Sequence, residues 1–203
     1  MTELIAELGT EYGQHHSKVG VSGCAMAMAV MAIEAGADTV KFQLFVPDQI
    51  LFCPMPGDEA RWPRWPQSMM PLEAWAKVKA DIEARGKQLL VSVFQRGGLE
   101  MAKALGCTRI KVASRALGSF PYDEWAGKFL VSLGMRGDGA LGKQIDSRYT
   151  YLSCISEYPC PLSKARWPNR FGEAGFSDHS GSPWPAIEAM ARGCKLIELH
   201  VDG

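Results

Sequence analysis

The chain has 203 residues, of which 47% are apolar and 22% charged, which is enough for one domain with a large core. Its 22 basic and 22 acidic residues cancel, and this balance argues against a nucleic-acid-binding surface. The six cysteines have no C-x-x-C spacing, and no apolar run is of signal or membrane-spanning type, so we expect a single domain over residues 1–203 that is cytoplasmic and has no membrane partner.

Eight short apolar runs predict eight β-strands, separated by turn residues and helical patterns. The predicted strands are Leu4–Leu8, Thr39–Phe45, Gln88–Phe94, Arg109–Ala113, Lys128–Leu133, Tyr149–Ile155, Phe171–Phe176 and Lys195–Val201.

Helical patterns lie between several of these strands, and each ends just before a glycine, a common helix stop signal. The predicted helices are Cys24–Ala35, Pro71–Arg85, Leu99–Leu105 and Pro185–Arg192. Alternating strands and helices predict a parallel sheet, and eight strands predict an α/β fold of the (β/α)8 TIM-barrel type. The printed sequence ends soon after the eighth strand. We therefore expect a minimal barrel without its last helix, with a seam that a second copy in a homo-oligomer could cover.

Two histidines stand at the ends of the last two predicted strands. His179 follows the segment Gly175–Asp178, and His200 ends the apolar run that begins at Lys195. The carboxyl ends of barrel strands surround the mouth where ligands bind, and imidazole is the commonest protein ligand for transition metals. The pair is therefore a candidate metal site, with a hydrogen-bonded structural histidine as the alternative for either residue.

Tryptophan-proline motifs occur in three of the loops that follow strands. The loop Val46–Met70 contains Arg61-Trp62-Pro63-Arg64-Trp65-Pro66, and later loops contain Arg166-Trp167-Pro168 and Pro183-Trp184-Pro185. Long loops in compact domains are usually functional or disordered, and the tryptophans favour an ordered loop. We expect an aromatic rim around the mouth, or else tryptophans that pack against one another and close the barrel top.

Eight short motifs at the strand ends, taken in order, carry a resemblance to a known family. They are Ile5–Gly9, Gly36–Gln43, Ser92–Phe94, Ile110–Ser114, Ser132–Met135, Cys154–Pro159, Phe176–His179 and Glu198–His200. This succession resembles the catalytic barrel of the sialic acid synthase (N-acetylneuraminate synthase, NeuB-like) family. Members of that family condense phosphoenolpyruvate with an N-acylated amino sugar, and the likeness covers nearly the whole chain.

The resemblance implies a phosphoenolpyruvate pocket, and the residues suit one. Lys41 and Lys111 on neighbouring strands supply fixed positive charge for a phosphate and a carboxylate, because an inward-facing lysine at a barrel mouth cannot reach outer solvent. Gln43 could hold a carboxylate or an acceptor group. Six further residues are predicted to bind substrate through their hydroxyl groups, and some of them match family positions. They are Ser92, Ser114, Ser132, Ser156, Tyr158 and Ser177.

The resemblance also implies a divalent metal, manganese or magnesium, held by His179 and His200. In the family this metal polarises the acceptor aldehyde for attack by phosphoenolpyruvate. Glu7 matches an acidic family residue that orients water or relays a proton, and it joins Lys41 and the two histidines in the predicted catalytic set. Asp178 and Glu198 could support the metal ligands from behind.

The sequence departs from the family where the acceptor sugar binds. Arg115-Ala116 stands where a glutamate is usual, and a guanidinium in that place suits an anionic acceptor. Ser17–Gly20 replaces an Asn-His pair, although His15 and His16 could reach the mouth. Family members continue into a further acceptor-binding segment and an antifreeze-like domain, and we expect neither here. We therefore expect a small sugar-like acceptor, of N-acylmannosamine type, bound by an altered acceptor site.

Three functions remain open from the sequence. The first is a metal-dependent transferase of the sialic acid synthase type that consumes phosphoenolpyruvate. The second is a barrel that has lost turnover and serves as a ligand-binding or assembly protein. The third is another barrel enzyme, such as an aldolase or a 3-deoxy-ulosonate synthase, and a Schiff-base aldolase would need a desolvated lysine and no metal.

Overall fold

A closed barrel of parallel β-strands forms the centre of the computed structural model, which describes residues 1–14, 19–46, 64–135, 147–165, 167 and 174–201. Within these residues eight strands pair in chain order, and the last pairs with the first. The predicted (β/α)8 TIM barrel is thereby confirmed. The strands are β1 Glu3–Glu7, β2 Thr39–Leu44, β3 Gln88–Val93, β4 Arg109–Val112, β5 Lys128–Ser132, β6 Tyr149–Ser153, β7 Gly175–Asp178 and β8 Leu196–His200.

The largest difference from the predicted strands is at β7. The sequence predicts Phe171–Phe176, whereas the structure has β7 at Gly175–Asp178, and residues 171–173 lie outside the described residues. Pairing with β8 continues through Ser177 and Asp178. Apolar composition could not predict the carboxyl end of β7, because Ser177, which faces the barrel interior there, is polar.

Five α-helices lie in the described parts of the chain: α1 Gly20–Glu34, α2 Arg64–Gln67, α3 Leu72–Ala84, α4 Arg96–Ala104 and α5 Trp184–Ala191. The four predicted glycine stops all have positive φ angles, so the stop signals are confirmed. Helices α1 and α4 begin earlier than their apolar patterns indicate. The described residues after β4 and β6 form short 3-10 turns, at Ser114–Ala116, Tyr122–Glu124 and Leu162–Lys164. No helix in the described ranges is both long and apolar enough to cross a membrane.

The barrel interior is layered. Its lower layer is a cluster of five buried aliphatic side chains, namely Ile5, Leu90, Leu130, Leu152 and Leu196. Because alternate strand residues face the same side of a sheet, the residue two positions further along each strand also points inward. Four of these five next positions are polar, Glu7, Ser92, Ser132 and Glu198, and all four are buried. The polar layer lies at the carboxyl ends of the strands.

The loop after β1 is packed against the segment after β2. The Tyr12 hydroxyl donates to the carbonyl oxygen of Ser68 over 2.9 Å. A Cβ atom at Gly13 would lie 2.8 Å from the backbone of Gln67, so the close approach requires glycine there. The ring of Tyr12 also makes edge contacts with Phe42 and Trp75. These contacts fix one side of the barrel mouth.

Candidate functional site

A cavity of about 830 Å³ opens at the carboxyl ends of the strands. Every predicted site residue except Ser177 lines it: Glu7, Lys41, Gln43, Ser92, Lys111, Ser114, Arg115, Ser132, Ser156, Tyr158, His179 and His200. These residues come from all eight strands or from the segments directly after them, and strand order brings them together. Ser177 lies behind the cavity wall, where its hydroxyl donates to Glu198 over 2.7 Å. His15 and His16 lie outside the described residues.

Two lysines and two glutamates form a buried network at the floor of the cavity. Lys111 Nζ lies 2.7 Å from both carboxylate oxygens of Glu198. Lys41 Nζ lies 2.5 Å from Glu7 Oε2 and 3.1 Å from Glu198 Oε2. Each of these four side chains is at most 5% exposed. Buried charges are tolerated when they are paired and hydrogen-bonded, so the two glutamates explain how two ammonium groups can lie inside the barrel.

The network also sets the pKa values of its members. Burial by itself would raise the pKa of Glu198, but Lys111 and Lys41 hold it well below its usual value. Burial would lower the pKa of Lys41, but Glu198 and Glu7 outweigh this effect and raise it. For Lys111 burial prevails, and its pKa is lowered despite the attraction of Glu198. Lys111 is therefore the lysine of the pair that gives up its proton more readily.

Amide and hydroxyl groups orient the network from the side. Gln43 Nε2 donates to Glu7 Oε1 over 3.0 Å, and Lys41 Nζ donates to Ser92 Oγ over 3.2 Å. The oxygens of Glu7 are therefore directed by two neighbours on β2. Ser114 Oγ accepts a hydrogen bond from the backbone nitrogen of Gly134, 3.0 Å away.

The two histidines lie side by side, with ring centroids 4.8 Å apart and planes at 85°. Nδ1 of His179 lies 2.5 Å from the carbonyl oxygen of Ile155. Nδ1 therefore carries the proton and donates it, which leaves the Nε2 lone pair directed to the cavity side. Burial, together with the neighbouring His200, lowers the pKa of His179 to about 3. Burial also lowers the pKa of His200, so both rings are neutral near pH 7.

Tyr158 covers this pair at the mouth. Its ring stacks on His179 with centroids 4.0 Å apart and meets His200 edge-on at 5.3 Å. The Tyr158 hydroxyl lies 3.0 Å from Nε2 of His179. It is therefore the hydroxyl nearest to the free lone pair of that histidine, ahead of Ser177 at 3.2 Å.

Asp178 does not join the site. Its carboxylate accepts hydrogen bonds from the backbone nitrogen and the hydroxyl of Ser180, at 3.1 and 2.9 Å. Ser177 and His179 point inward, so the residue between them faces the opposite side of the strand. Asp178 therefore holds the turn after β7, and Glu198 alone of the two predicted supporting carboxylates contacts the network.

Among the lining residues, Glu11, Phe45 and Phe94 were not predicted from the sequence as site residues. The rings of Trp65, Phe45 and Phe94 stack in that order, with centroids 5.2 and 4.9 Å apart. Glu11 Oε1 accepts a hydrogen bond from Arg64 Nη1 over 2.9 Å. Phe45 and Phe94 directly follow the ends of β2 and β3. This position at the strand ends could have predicted that both line the cavity.

The tryptophan motifs agree only in part with the expected aromatic rim. Trp65 lines the cavity. Trp167 instead packs on Phe176 outside the barrel and donates to the carbonyl oxygen of Pro185, and Trp184 is 67% exposed at the start of α5. Trp62 lies outside the described residues. Of the motif tryptophans that the structure describes, Trp65 is thus the one that lines the cavity, next to Phe45 and Phe94.

Among the described residues no group of three or more histidine, cysteine, aspartate or glutamate side chains is arranged to hold a metal ion.

Comparisons with known proteins agree with this architecture. The model of the NeuB family matches residues 28–202. Spore coat polysaccharide biosynthesis protein SpsE from Bacillus subtilis is 29% identical over 97% of this chain, which spans 58% of that protein. The N,N'-diacetyllegionaminic acid synthase of Campylobacter jejuni is 22% identical over 98% of this chain and 67% of its own length.

A solved structure shares the fold. The crystal structure of an N-acetylneuraminic acid synthetase from Leptospira borgpetersenii serovar Hardjo-bovis, in complex with citrate, superposes with a TM-score of 0.77 at 21% identity. The match covers 98% of this chain and 72% of that one.

Proposed function

Because the chain belongs to the NeuB family, we propose that it condenses phosphoenolpyruvate with an aldehyde sugar to give an ulosonic acid and phosphate. The observation that carries the proposal is the meeting of Lys41, Lys111, Glu7 and two neutral histidines in one cavity. One curated relative is named as a synthase of a legionaminic acid, which favours the same reaction class.

The charge of the cavity supports binding of phosphoenolpyruvate. Among the described lining residues, four cationic side chains, Lys41, Arg64, Lys111 and Arg115, face three carboxylates, Glu7, Glu11 and Glu198. The floor network fixes both ammonium groups before a ligand arrives, so little reorganisation is needed to bind a phosphate or a carboxylate. Ser92, Ser114 and Ser132 border the same space and would add hydroxyl donors.

The donor set also supports a divalent ion, manganese or magnesium, at His179 and His200. Both imidazoles are neutral, and the Nδ1 contact of His179 with a backbone carbonyl is the usual arrangement behind a metal-ligating histidine. When bound, such an ion supplies a Lewis acid that polarises the acceptor carbonyl. Tyr158 would have to yield the Nε2 lone pair that its hydroxyl now faces.

The reaction forms one carbon–carbon bond, and at C2 of phosphoenolpyruvate it replaces the carbon–oxygen bond to phosphate by one to the oxygen of water. C3 of phosphoenolpyruvate bonds to the aldehyde carbon, water adds at C2, and phosphate leaves with cleavage of its bond to C2. Glu7 would orient that water or accept its proton, since Gln43 and Lys41 hold its two oxygens. Lys41 and Lys111 would stabilise the charge on the departing phosphate.

Phosphate release tests the proposal directly. With phosphoenolpyruvate, Mn²⁺ and an aldose present, we expect release that stops when any one of the three is omitted. His179→Asn and His200→Asn should lose Mn²⁺ binding and turnover but keep the fold, whereas Glu188→Gln on the outside of α5 should behave like wild type. Failure of the wild-type protein to bind phosphoenolpyruvate would rule the proposal out.

A Schiff-base aldolase is the second candidate, and one observation favours it. Burial lowers the pKa of Lys111, as a lysine nucleophile requires. Against it, both oxygens of Glu198 hold the Lys111 ammonium. Borohydride reduction with a 2-oxo acid present would trap a covalent adduct on Lys111 if the aldolase is correct, and leave the mass unchanged if the synthase is correct.

A further inference from the structure

One inward-facing residue of the polar layer has no role in the proposed function. Four of the five positions above the aliphatic cluster are polar, and the fifth, just past the end of β6, is Cys154. Leu152 belongs to that cluster and Ser156 lines the cavity, so Cys154, midway between them, faces the same side. Cys154 therefore lies at the level of the charged network, with a half-buried side chain.

The thiol of Cys154 contacts the hydroxyl of Ser114. The sulfur and oxygen atoms are 3.8 Å apart, a weak hydrogen bond in which either atom can be the donor, and Ser114 is the hydrogen-bond partner of Cys154 in the described part of the chain. Ser114 Oγ also accepts from the backbone nitrogen of Gly134 over 3.0 Å. A Cβ atom at Gly134 would lie 2.8 Å from the Cys154 sulfur. The glycine therefore makes room for the thiol.

The hydrogen bonds of Ser114 decide where its own hydrogen can point. A serine hydroxyl has one donor hydrogen and two acceptor lone pairs. One lone pair accepts from the N–H of Gly134, and the second can accept from the S–H of Cys154. With both lone pairs used, the hydroxyl hydrogen is left for the cavity, which Ser114 lines. The oxygens of a phosphate or carboxylate only accept, so a bound anion would favour this arrangement.

Cys154 also lies near Lys111. Burial lowers the pKa of Lys111 and Glu198 raises it, and Cys154 is close enough to be among the further groups that raise it. Lys111 and Ser114 are both proposed contacts of phosphoenolpyruvate. The thiol therefore stands behind two donors that would meet the same anion.

We propose that Cys154 is a positioning residue for phosphoenolpyruvate: its thiol donates to Ser114 and so turns the Ser114 hydroxyl hydrogen towards the bound anion. The proposal rests on the proposed synthase function and adds to its anion site a residue that acts through Ser114. Hydrogen bonds in series strengthen one another, so the thiol also makes Ser114 a stronger donor.

The first experiment separates the donor of Cys154 from its volume. Cys154→Val keeps a side chain of similar size without a donor, and Cys154→Ser keeps a hydroxyl donor. Cys154→Val should raise the KM for phosphoenolpyruvate by about threefold to fivefold with little change in kcat, as loss of one weak hydrogen bond to the bound substrate predicts. Cys154→Ser should stay within about twofold of wild type. An unchanged KM in Cys154→Val would overturn the proposal.

A double-mutant cycle shows whether Cys154 acts through Ser114. Ser114→Ala alone should raise the KM more than Cys154→Val does, because a direct contact with the substrate is lost. In the Ser114→Ala background, Cys154→Val should change the KM by less than about 1.5-fold, since the hydroxyl that it orients is gone. If the two effects multiply instead, the thiol acts independently of Ser114 and the proposal is wrong.

Cys194→Val is the matched control. Cys194 is fully buried just before β8, at the end of the barrel away from the mouth, and its thiol donates to the carbonyl oxygen of Leu196 over 3.1 Å. This substitution also removes a thiol donor, but it should leave the KM for phosphoenolpyruvate unchanged. A rise equal to that in Cys154→Val would show a general effect of cysteine replacement and would overturn the proposal.

Calorimetric titration with phosphoenolpyruvate and with inorganic phosphate separates the two possible failures. If the wild-type protein turns over but the cycle is additive, the role of Cys154 fails and the synthase function stands. If the wild type binds phosphoenolpyruvate without turnover, the synthase function fails, and the same comparison of variants made on Kd supports or overturns the role of Cys154. If the wild type binds neither anion, both proposals are wrong.

Discussion

Two layers inside the same barrel have equal burial and opposite chemistry. The lower layer is aliphatic, with Ile5 and Leu196 among its members, and the upper layer is charged, with Glu7 and Glu198 directly above them on the same strands. Two residues along a strand, about 6–7 Å, separate a packing position from a site position. Burial therefore does not distinguish the two layers. Removal of a side chain should distinguish them, because the lower layer would lose packed volume and the upper layer would lose a charge partner.

The largest expected effect is from Glu198→Ala in the upper layer. Lys111 would lose both of its carboxylate hydrogen bonds, and Lys41 would lose one of two carboxylate partners. Removing one partner of a buried ion pair costs about 3–5 kcal/mol of unfolding free energy, measurable by urea denaturation. A double variant, Glu198→Leu with Lys111→Met, should regain most of that stability but not bind phosphoenolpyruvate. A loss below about 1 kcal/mol in Glu198→Ala would contradict the role of the network.

Leu130→Ala tests the lower layer. Leu130 is fully buried, and its truncation should cost about 3 kcal/mol through lost burial and the cavity left behind. Because no charge changes, the KM for phosphoenolpyruvate should stay within about twofold of wild type at a temperature where both proteins are folded. A large change in KM at full folding would show that the layers are not independent.

Tyr12→Phe gives a reference from a buried hydroxyl outside the barrel interior. Loss of its hydrogen bond to Ser68 should cost about 1 kcal/mol at pH 7. Burial raises the pKa of Tyr12 above its usual value. The folded state thus holds this proton more tightly than the unfolded state, so the contribution is present below pH 10 and is lost as pH rises above it, by about 1.4 kcal/mol per pH unit.

The measurement is the difference in unfolding free energy between wild type and Tyr12→Phe from pH 8 to 11. The difference should shrink above pH 10, since the phenylalanine variant has no group to ionise there. Parallel curves over the whole range would show that Tyr12 is not buried as described.

The smallest expected effect is from Glu188→Ala. This residue pairs with Arg192 one helical turn away on the surface of α5, where both side chains are nearly half exposed. Exposed pairs of this spacing contribute about 0.3–0.5 kcal/mol, so the melting temperature should hardly change. A loss comparable to that in Glu198→Ala would mean that charge pairing matters equally inside and outside the barrel.

The sequence was a good guide to the strands and to the inward-facing residues of the site. Their position near the ends of the predicted strands, together with the resemblance, placed Lys41, Lys111, His179 and His200 at the mouth, and their side chains do border one cavity. Strand geometry alone accounts for this, because residues at the carboxyl ends of parallel barrel strands converge. The chemical roles assigned to these residues stay predictions.

Residues whose position depends on loops were harder to place. Arg64 and Trp65 reach the cavity because the segment after β2 docks on the loop after β1, through Tyr12, Gly13 and Ser68. Asp178 was expected near the metal ligands but bonds to Ser180. The position of Arg64 and Trp65 has no local signal, because it depends on contacts between residues far apart in sequence. For Asp178 strand alternation was such a signal, because the residue between two inward-facing ones faces outward.

The sequence by itself determined the barrel, since the alternation of strands and helices and the glycine stops are local properties of the chain. It also determined which side chains lie at the carboxyl ends of the strands. Only the tertiary structure decided that Glu198 joins both lysines and that Trp65 rather than Trp167 lines the cavity. These arrangements depend on how β8 lies opposite β4 and on how loops pack. Closure of the barrel brings residues that are far apart in the chain into contact.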